Sequence, residues 1–148
     1  MIEYTVKVAN NGDKAWYLKG KLHREDGPAV EGNNGYKAWY LNGKLHREDG
    51  PAVEGSDSYK AWFLNGERHR EDGPAIEDSD GNKYWYLNDK LHREDGPAMD
   101  FSDGEKYWYL NGKEYTEQEH KEATKSKCKV EGKVVEIDGI KYELKEVK

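Results

Sequence analysis

The chain has 148 residues, enough for one domain, and 34% of them are hydrophobic while 36% are charged. The formal net charge is −6, and residues 1–115 hold 22 Asp and Glu against 16 Lys and Arg, so the acidity belongs to that part of the chain. Acidity disfavours nucleic acids and anionic membranes as partners, because both need a basic surface. The single cysteine, Cys128, excludes a disulfide or a CxxC zinc site within one chain.

The first strand is predicted at the N-terminus, where residues 2–9 alternate apolar and polar side chains before an Asn11-Gly12 turn. This segment lacks the basic stretch and apolar run of a signal peptide. No window of the chain approaches the roughly 18 apolar residues of a membrane span. These features, with the single cysteine, predict a cytoplasmic protein.

One segment, Leu22 to Ala29, recurs three times further along the chain, with Arg68 replacing the Leu in one copy. A fixed period of 23 residues separates successive copies, and such a period is the signature of a repeat architecture. The recurring Trp and His positions are Trp16, Trp39, Trp62, Trp85, Trp108, His23, His46, His69 and His92.

The second unit shows how each repeat is predicted to fold. Residues 37–41 are rich in aromatic residues and predict a strand, and Asn42-Gly43 predicts a type I′ hairpin turn. Residues 44–47 return from that turn. Residues 48–51, with the sequence EDGP, predict a second turn, in which the Gly is free to adopt a positive φ and the Pro fixes its own φ. Residues 52–54 form another short strand.

The C-terminal part departs from the repeat, because Tyr115 stands where the His is expected. Thr116 and Glu119 form a capping-box pattern, which predicts a helix from about 117 to 125, and residues 134–144 predict two strands around an Asp-Gly turn. The predicted fold is therefore all-β, a ribbon or solenoid of about five stacked 23-residue β-hairpin repeats in residues 1–115. A capping helix and β-hairpin in residues 116–148 close it.

The His-Arg-Glu-Asp segment contains residue types used in catalysis, but an active site is a singular arrangement and this one occurs four times. The repetition predicts structural roles: the His bonds a neighbouring turn, and the Arg pairs with Glu or Asp of the next copy. No catalytic residue, cofactor or metal is predicted. Histidines about 10 Å apart, two strands per unit, cannot share a zinc ion.

The aromatic ladders have two interpretations. The Trp ladder is predicted to form the core of the ribbon. The residues of the opposite face are predicted either to pack within the ribbon or to recognise a partner, since Tyr is common in interface hot spots. The candidate binding residues are Tyr17, Tyr40, Phe63, Tyr86, Tyr109, Arg24, Arg47, Arg70 and Arg93.

The spacing from Trp39 through Asn42-Gly43-Lys44 to His46, inside a 23-residue unit, resembles the MORN repeat family. The likeness is closer to W-Y-x-N-G-x-x-H-R-x-D-G-P-A repeats in uncharacterised proteins of tailed bacteriophages and bacteria. Over residues 1–115 this resemblance implies stacked β-hairpins and a role in binding.

We therefore expect a non-enzymatic repeat protein that binds a protein partner with a neutral or basic patch. The phage-type likeness extends this to an inhibitor of a bacterial host protein, such as a nucleic-acid enzyme whose basic groove an acidic protein blocks. One alternative is a small-ligand binder that holds a nucleotide or glycan between a repeat Arg and a Tyr ring. Another is a purely structural scaffold, and a homo-oligomer also remains open.

Overall fold

The computed structural model describes residues 3–125, 134–137 and 139–143 of the chain. Within this part there is one helix, α1 (Glu117–Lys125), and the remaining regular elements are short strands. The strands are β1 (Thr5–Val8), β2 (Lys14–Leu18), β3 (Lys21–Leu22), β4 (Val30–Glu31), β5 (Lys37–Ala38), β6 (Tyr40–Leu41), β7 (Lys44–Leu45), β8 (Val53–Glu54), β9 (Lys60–Ala61), β10 (Phe63–Leu64), β11 (Glu67–Arg68), β12 (Ile76–Glu77), β13 (Lys83–Tyr84), β14 (Tyr86–Leu87), β15 (Lys90–Leu91), β16 (Met99–Asp100), β17 (Lys106–Leu110), β18 (Lys113–Tyr115), β19 (Val134–Ile137) and β20 (Ile140–Glu143).

A 12-stranded antiparallel sheet runs through all the repeats and confirms the predicted all-β repeat architecture. Each unit adds two neighbouring strands, the one that precedes its Trp and the one that follows its EDGP turn. Since paired strands lie about 4.8 Å apart, successive units are offset by roughly 10 Å. The strand order is β1-β2-β4-β5-β8-β9-β12-β13-β16-β17-β18, with β3 paired to β2.

The register of this sheet aligns residues of one kind in rows across the strands. One row is apolar and consists of Ala15, Val30, Ala38, Val53, Ala61, Ile76, Tyr84, Met99 and Tyr107. The adjacent row alternates in charge and consists of Lys14, Glu31, Lys37, Glu54, Lys60, Glu77, Lys83, Asp100 and Lys106. Successive residues of a strand point to opposite faces, so the apolar row builds the core while the charged row places opposite charges side by side.

The chain leaves the main sheet at each internal Trp, which corrects the prediction of one continuous strand over residues 37–41. The Trp39 N–H donates to the Ala52 carbonyl (2.8 Å), whereas the Trp39 carbonyl accepts the His46 N–H (3.0 Å). The two backbone groups of Trp39 thus bond different segments, and β6 and β7 form a separate hairpin. At its tip Asn42 and Gly43 have φ values of 52° and 81°, as the predicted type I′ turn requires.

The buried apolar residues of the described chain are Ala29, Ala38, Ala52, Val53, Ala61, Ala75 and Ala98. All but one of these residues are alanines. The Trp side chains, which were predicted to form the core, are half-buried and are not among these buried residues. They lie beside the alanine core, where an Arg covers one face of most rings.

The helix α1 packs against β17 and β18 at the C-terminal end of the ribbon. Its predicted capping box is present, since Thr116 N–H donates to Glu119 Oε2 (2.9 Å) and Glu119 N–H donates to Thr116 Oγ1 (3.3 Å). His120, 3% exposed, lies with Nε2 at 2.6 Å from the Arg93 carbonyl oxygen. The predicted hairpin is present as β19 and β20. Cys128 lies outside the described residues, and a single capping unit over residues 116–148 stays a prediction.

Candidate functional site

The repeat arginine of each unit is held by its own turn and by its own Trp. Arg47 Nε donates to Asp49 Oδ1 (2.9 Å), and its Nη1 donates to the Pro51 carbonyl (3.1 Å) and to Glu54 Oε1 (2.8 Å). The guanidinium carbon lies 3.9 Å from the centre of the Trp39 ring, within the range of a cation–π contact. The predicted pairing with Glu or Asp of the next copy is therefore wrong. Arg24 and Arg70 are stacked and paired in the same way. Arg93 stacks on Trp85 and bonds Asp95 and the Pro97 carbonyl, and Asp100 stands where the other units have the Glu.

The glycine of the EDGP turn is needed for space, and it does not use its freedom to adopt a positive φ. Gly50 is not among the glycines with positive φ. A Cβ atom at Gly50 would lie 3.0 Å from Arg47 Cζ and 3.1 Å from its Nε. The guanidinium thus packs directly on the glycine backbone. The equivalent distances to Cζ are 3.1, 2.8 and 2.9 Å at Gly27, Gly73 and Gly96.

The repeat histidines connect each unit to the next, as predicted. The backbone N–H of Asn65 donates to His46 Nδ1 (3.0 Å), so the proton of a neutral ring resides on Nε2. Nε2 lies 3.6 Å from Glu48 Oε1 on the same turn. His23, His69 and His92 receive the same bond from Asn42, Asn88 and Asn111. Each His side chain therefore forms a hydrogen bond with the turn of the following hairpin.

One contact between units is not repeated. Arg68 stands where other units have Leu, and Asp89 stands where other hairpin turns have Gly. The Arg68 side chain donates to the Asp89 carboxylate and lies over the Tyr86 ring, 4.1 Å from its centre. This hydrogen bond holds the pKa of Asp89 below its usual value. Sequence reasoning missed the pair, although a simultaneous departure from the repeat at two positions was a readable signal.

The outer carboxylates of the EDGP turns form a charged surface that is exposed to solvent. We call this surface the acidic edge and define it as Glu25, Asp26, Glu48, Asp49, Glu71, Asp72, Glu94 and Asp95. In the second unit, Glu48 and Asp49 are 86% and 84% exposed. Hydrogen bonds from Arg47 and Arg70 hold the pKa values of Asp49 and Asp72 below the usual range, so these groups stay ionised. Successive EDGP turns along the acidic edge are roughly 10 Å apart, because this is the offset between units.

Clefts separate successive turns of the acidic edge. The three clefts have volumes of about 760, 670 and 670 Å³ and are open to solvent. In the first, the turn from Arg24 to Pro28 forms one wall and the segment from His46 to Asp49 forms the other, with Trp39 and Leu41 between them. Acidic side chains thus line both walls, and an aromatic ring lies between the walls.

The predicted aromatic binding face is mostly occupied by packing. Tyr17, Tyr40, Phe63, Tyr86 and Tyr109 are all half-buried. Tyr40 and Phe63 pack against the cluster of Ala38, Val53 and Ala61. The guanidinium groups of the four repeat arginines lie over Trp rings. Their backbone N–H groups donate to the carbonyls of the aromatic residues of the next unit, at 3.1 Å in each case: Tyr40, Phe63, Tyr86 and Tyr109. The role of these arginines in binding stays a prediction.

Fold and surface together define a β-hairpin repeat protein with an acidic edge divided by clefts. No protein-family model matches the chain, and no curated protein matches it at a significant level. Within the described residues, no group of three or more His, Cys, Asp or Glu side chains is arranged to hold a metal ion. The helix of the described part lacks the length and apolar character needed to cross a membrane.

Proposed function

We propose that this chain is a non-enzymatic, cytoplasmic binding protein that engages a basic protein partner through the acidic edge. The observation that carries the proposal is the regular row of exposed carboxylates, of which Asp26, Asp49, Asp72 and Asp95 are 84–86% exposed. Charged rows of this kind raise association rates and select partners of opposite charge. The catalytic alternative is disfavoured because every candidate group recurs once per unit.

The clefts suggest how the partner is recognised. Each cleft has exposed carboxylates on both walls, and these favour a Lys or Arg side chain. The arginines that also line the first cleft, Arg24 and Arg47, are already paired with carboxylates and stacked on Trp rings. The clefts repeat about every 10 Å, as two strands per unit require. An α-helix places side chains on one face about 10.5 Å apart at every seventh residue. We therefore expect the partner to present basic side chains with that spacing along a helix.

Two alternative functions would use different parts of the same ribbon. An acidic ribbon that covers a basic groove would act as an inhibitor of a nucleic-acid enzyme, consistent with the resemblance to phage-type repeats. A nucleotide or glycan binder would instead use the arginines. Arg47, with only 22% of its side chain exposed, is already paired with Asp49 and Glu54, which disfavours that alternative.

A helical peptide with Lys at every seventh position tests the proposal, with a peptide of the same composition and Lys at every fifth position as the control. Titration calorimetry at low salt should give tighter binding of the first peptide, and added salt should weaken it. Glu71→Lys on the acidic edge should reduce the affinity severalfold. Glu67→Lys makes the same charge change in the same unit, at a position where other units carry Lys, and should have little effect.

Equal affinity for the two peptides, or equal effects of the two substitutions, would remove the basis of the proposal. Affinity capture from bacterial lysate with the unmodified chain and the Glu71→Lys variant then identifies the natural partner. A specific partner should be depleted in the variant sample. If instead a nucleotide or sugar panel raised the melting temperature while both peptides failed to bind, the small-ligand alternative would replace the proposal.

A further inference from the structure

The N-terminal strand β1 is the edge of the 12-stranded sheet, and nothing in the described chain pairs with its outer side. All four of its residues are exposed. Tyr4, Val6 and Val8 are 36%, 44% and 64% exposed, and they alternate along the segment, so they share one face. The opposite end of the sheet is different, because α1 packs against β17 and β18 there. An exposed apolar edge strand is a template for pairing with another strand.

The backbone of Val6 is free to form such a pair. Val6 lies opposite Trp16 in the register of β1 with β2. The Trp16 N–H donates to the Ala29 carbonyl (2.8 Å), on the far side of β2, so this residue pair exchanges no hydrogen bonds. Backbone groups of successive residues in a strand point to alternate sides, and the N–H of Ala9, three residues after Val6, points inward and donates to the Asp13 carbonyl (2.9 Å). The N–H and C=O groups of Tyr4 and Val6 therefore point outward from the sheet.

The residues of this segment are self-complementary about Thr5. Two residues before Thr5 stands Glu3, and two residues after it stands Lys7. In an antiparallel pair centred on Thr5, each Glu3 would face the Lys7 of the other copy, and each Tyr4 would face Val6. Tyr4 and Val6 are also the residues whose backbone groups point outward, so both would form hydrogen-bonded pairs.

Other registers are less favourable. A pair centred on Lys7 would place two like charges directly opposite, which destabilises a sheet. A pair centred on Val6 would leave Lys7 facing Thr5 and Glu3 facing Ala9, without an ion pair. A shift by a single residue would place the apolar row of one strand against the polar row of the other. The charges of the segment therefore select the register centred on Thr5.

We propose that two copies of this chain pair antiparallel along β1, with a two-fold axis at Thr5 and with the sheet continuing from one copy into the other. The surface is isologous, as a two-fold dimer requires. The occupant is a second copy rather than another protein because the segment supplies both halves of its own charge pattern. The acidic edge is not part of this contact, so the dimer and partner binding are separate properties.

Sedimentation velocity over a wide concentration range tests the proposal with the full chain. The unmodified protein should dimerise reversibly. Lys7→Glu places a second carboxylate opposite Glu3 twice per dimer and should raise the dimer dissociation constant by about tenfold or more. The double variant Glu3→Lys/Lys7→Glu reverses both charges and should restore the dimer. Lys113→Glu, the same charge change in β18 at the other end of the sheet, is the control and should leave dimerisation unchanged.

A disulfide test reads the register directly and does not depend on affinity. In a Cys128→Ser background, Thr5→Cys places two thiols at the two-fold axis, where Cα atoms of a non-hydrogen-bonded pair lie about 4.5 Å apart, within disulfide range. Mild oxidation should give a covalent dimer, whereas Val8→Cys should remain mostly monomeric. Circular dichroism confirms that each variant is folded. A monomer at all concentrations, or a dimer that Lys7→Glu leaves intact, would overturn the proposal.

Discussion

Replacing Gly50 by Ala should destabilise the protein by displacing Arg47, and not by straining the backbone. The added Cβ would lie 3.0–3.2 Å from three atoms of the guanidinium group. A flexible side chain usually moves aside at little cost, but Arg47 is held by Asp49, Pro51 and Glu54 and by the Trp39 ring. Relieving the contact must therefore weaken several interactions at once.

The magnitude follows from those interactions. The bond to Asp49 contributes little, because that carboxylate is 84% exposed and its charge is screened by solvent. The bond to Glu54, which is 35% exposed, and the contact with Trp39 at 3.9 Å remain. A charge-assisted hydrogen bond contributes about 1.5–3 kcal/mol and an exposed cation–π contact about 0.5–1 kcal/mol. Because both are only partly lost, we expect Gly50→Ala to lower the free energy of unfolding by about 2 kcal/mol.

A double-mutant cycle separates this cause from backbone strain. In an Arg47→Met background the side chain still covers Trp39 but lacks the guanidinium, so Gly50→Ala should change stability by less than about 0.5 kcal/mol. Gly43→Ala is the control, because φ is 81° there and the strain of about 1–3 kcal/mol should persist in both backgrounds. Urea unfolding followed by Trp fluorescence measures all the variants. An equal cost of Gly50→Ala in both backgrounds would refute the role assigned to Arg47.

Three further predictions concern contacts between units and pH. His46→Ala removes the acceptor of the Asn65 N–H (3.0 Å) and should lower the free energy of unfolding by about 1–3 kcal/mol. Urea unfolding measures this change. An unchanged free energy of unfolding would show that water replaces the imidazole. Arg68→Leu leaves Asp89 without its partner, whereas Arg68→Leu/Asp89→Gly restores the repeat at both positions. The single variant should therefore be less stable than the double variant. If the effects of the two substitutions on the free energy of unfolding simply added, the pairing of Arg68 with Asp89 would be contradicted. The lowered pKa values of Asp49 and Asp89 mean that their contribution is complete above the ordinary value of 3.8 and is lost as pH falls below it. The melting temperature should therefore fall more steeply below that pH in the unmodified chain than in the Arg68→Leu/Asp89→Gly variant.

Local features of the fold could be read from the sequence because their cause is local. Asn42-Gly43 predicts a type I′ turn since both of its residues tolerate positive φ, and the structure has that turn. Thr116 and Glu119 predict a capping box because both partners lie within one turn of helix. The 23-residue period likewise fixes a repeat architecture, whatever the details of stacking.

The position of each side chain between units was decided only by the tertiary structure. The sequence places Arg47 next to Glu48 and Asp49, and only the path of the chain after Trp39 determines that it also pairs with Glu54 and stacks on the ring. That path depends on the backbone of Trp39, which bonds two different segments of the chain. Such long-range hydrogen bonds cannot be predicted from the strand propensities of single residues. The alanine core and the clefts have the same origin, because both are formed by residues of successive units that only the stacking of the sheet brings together.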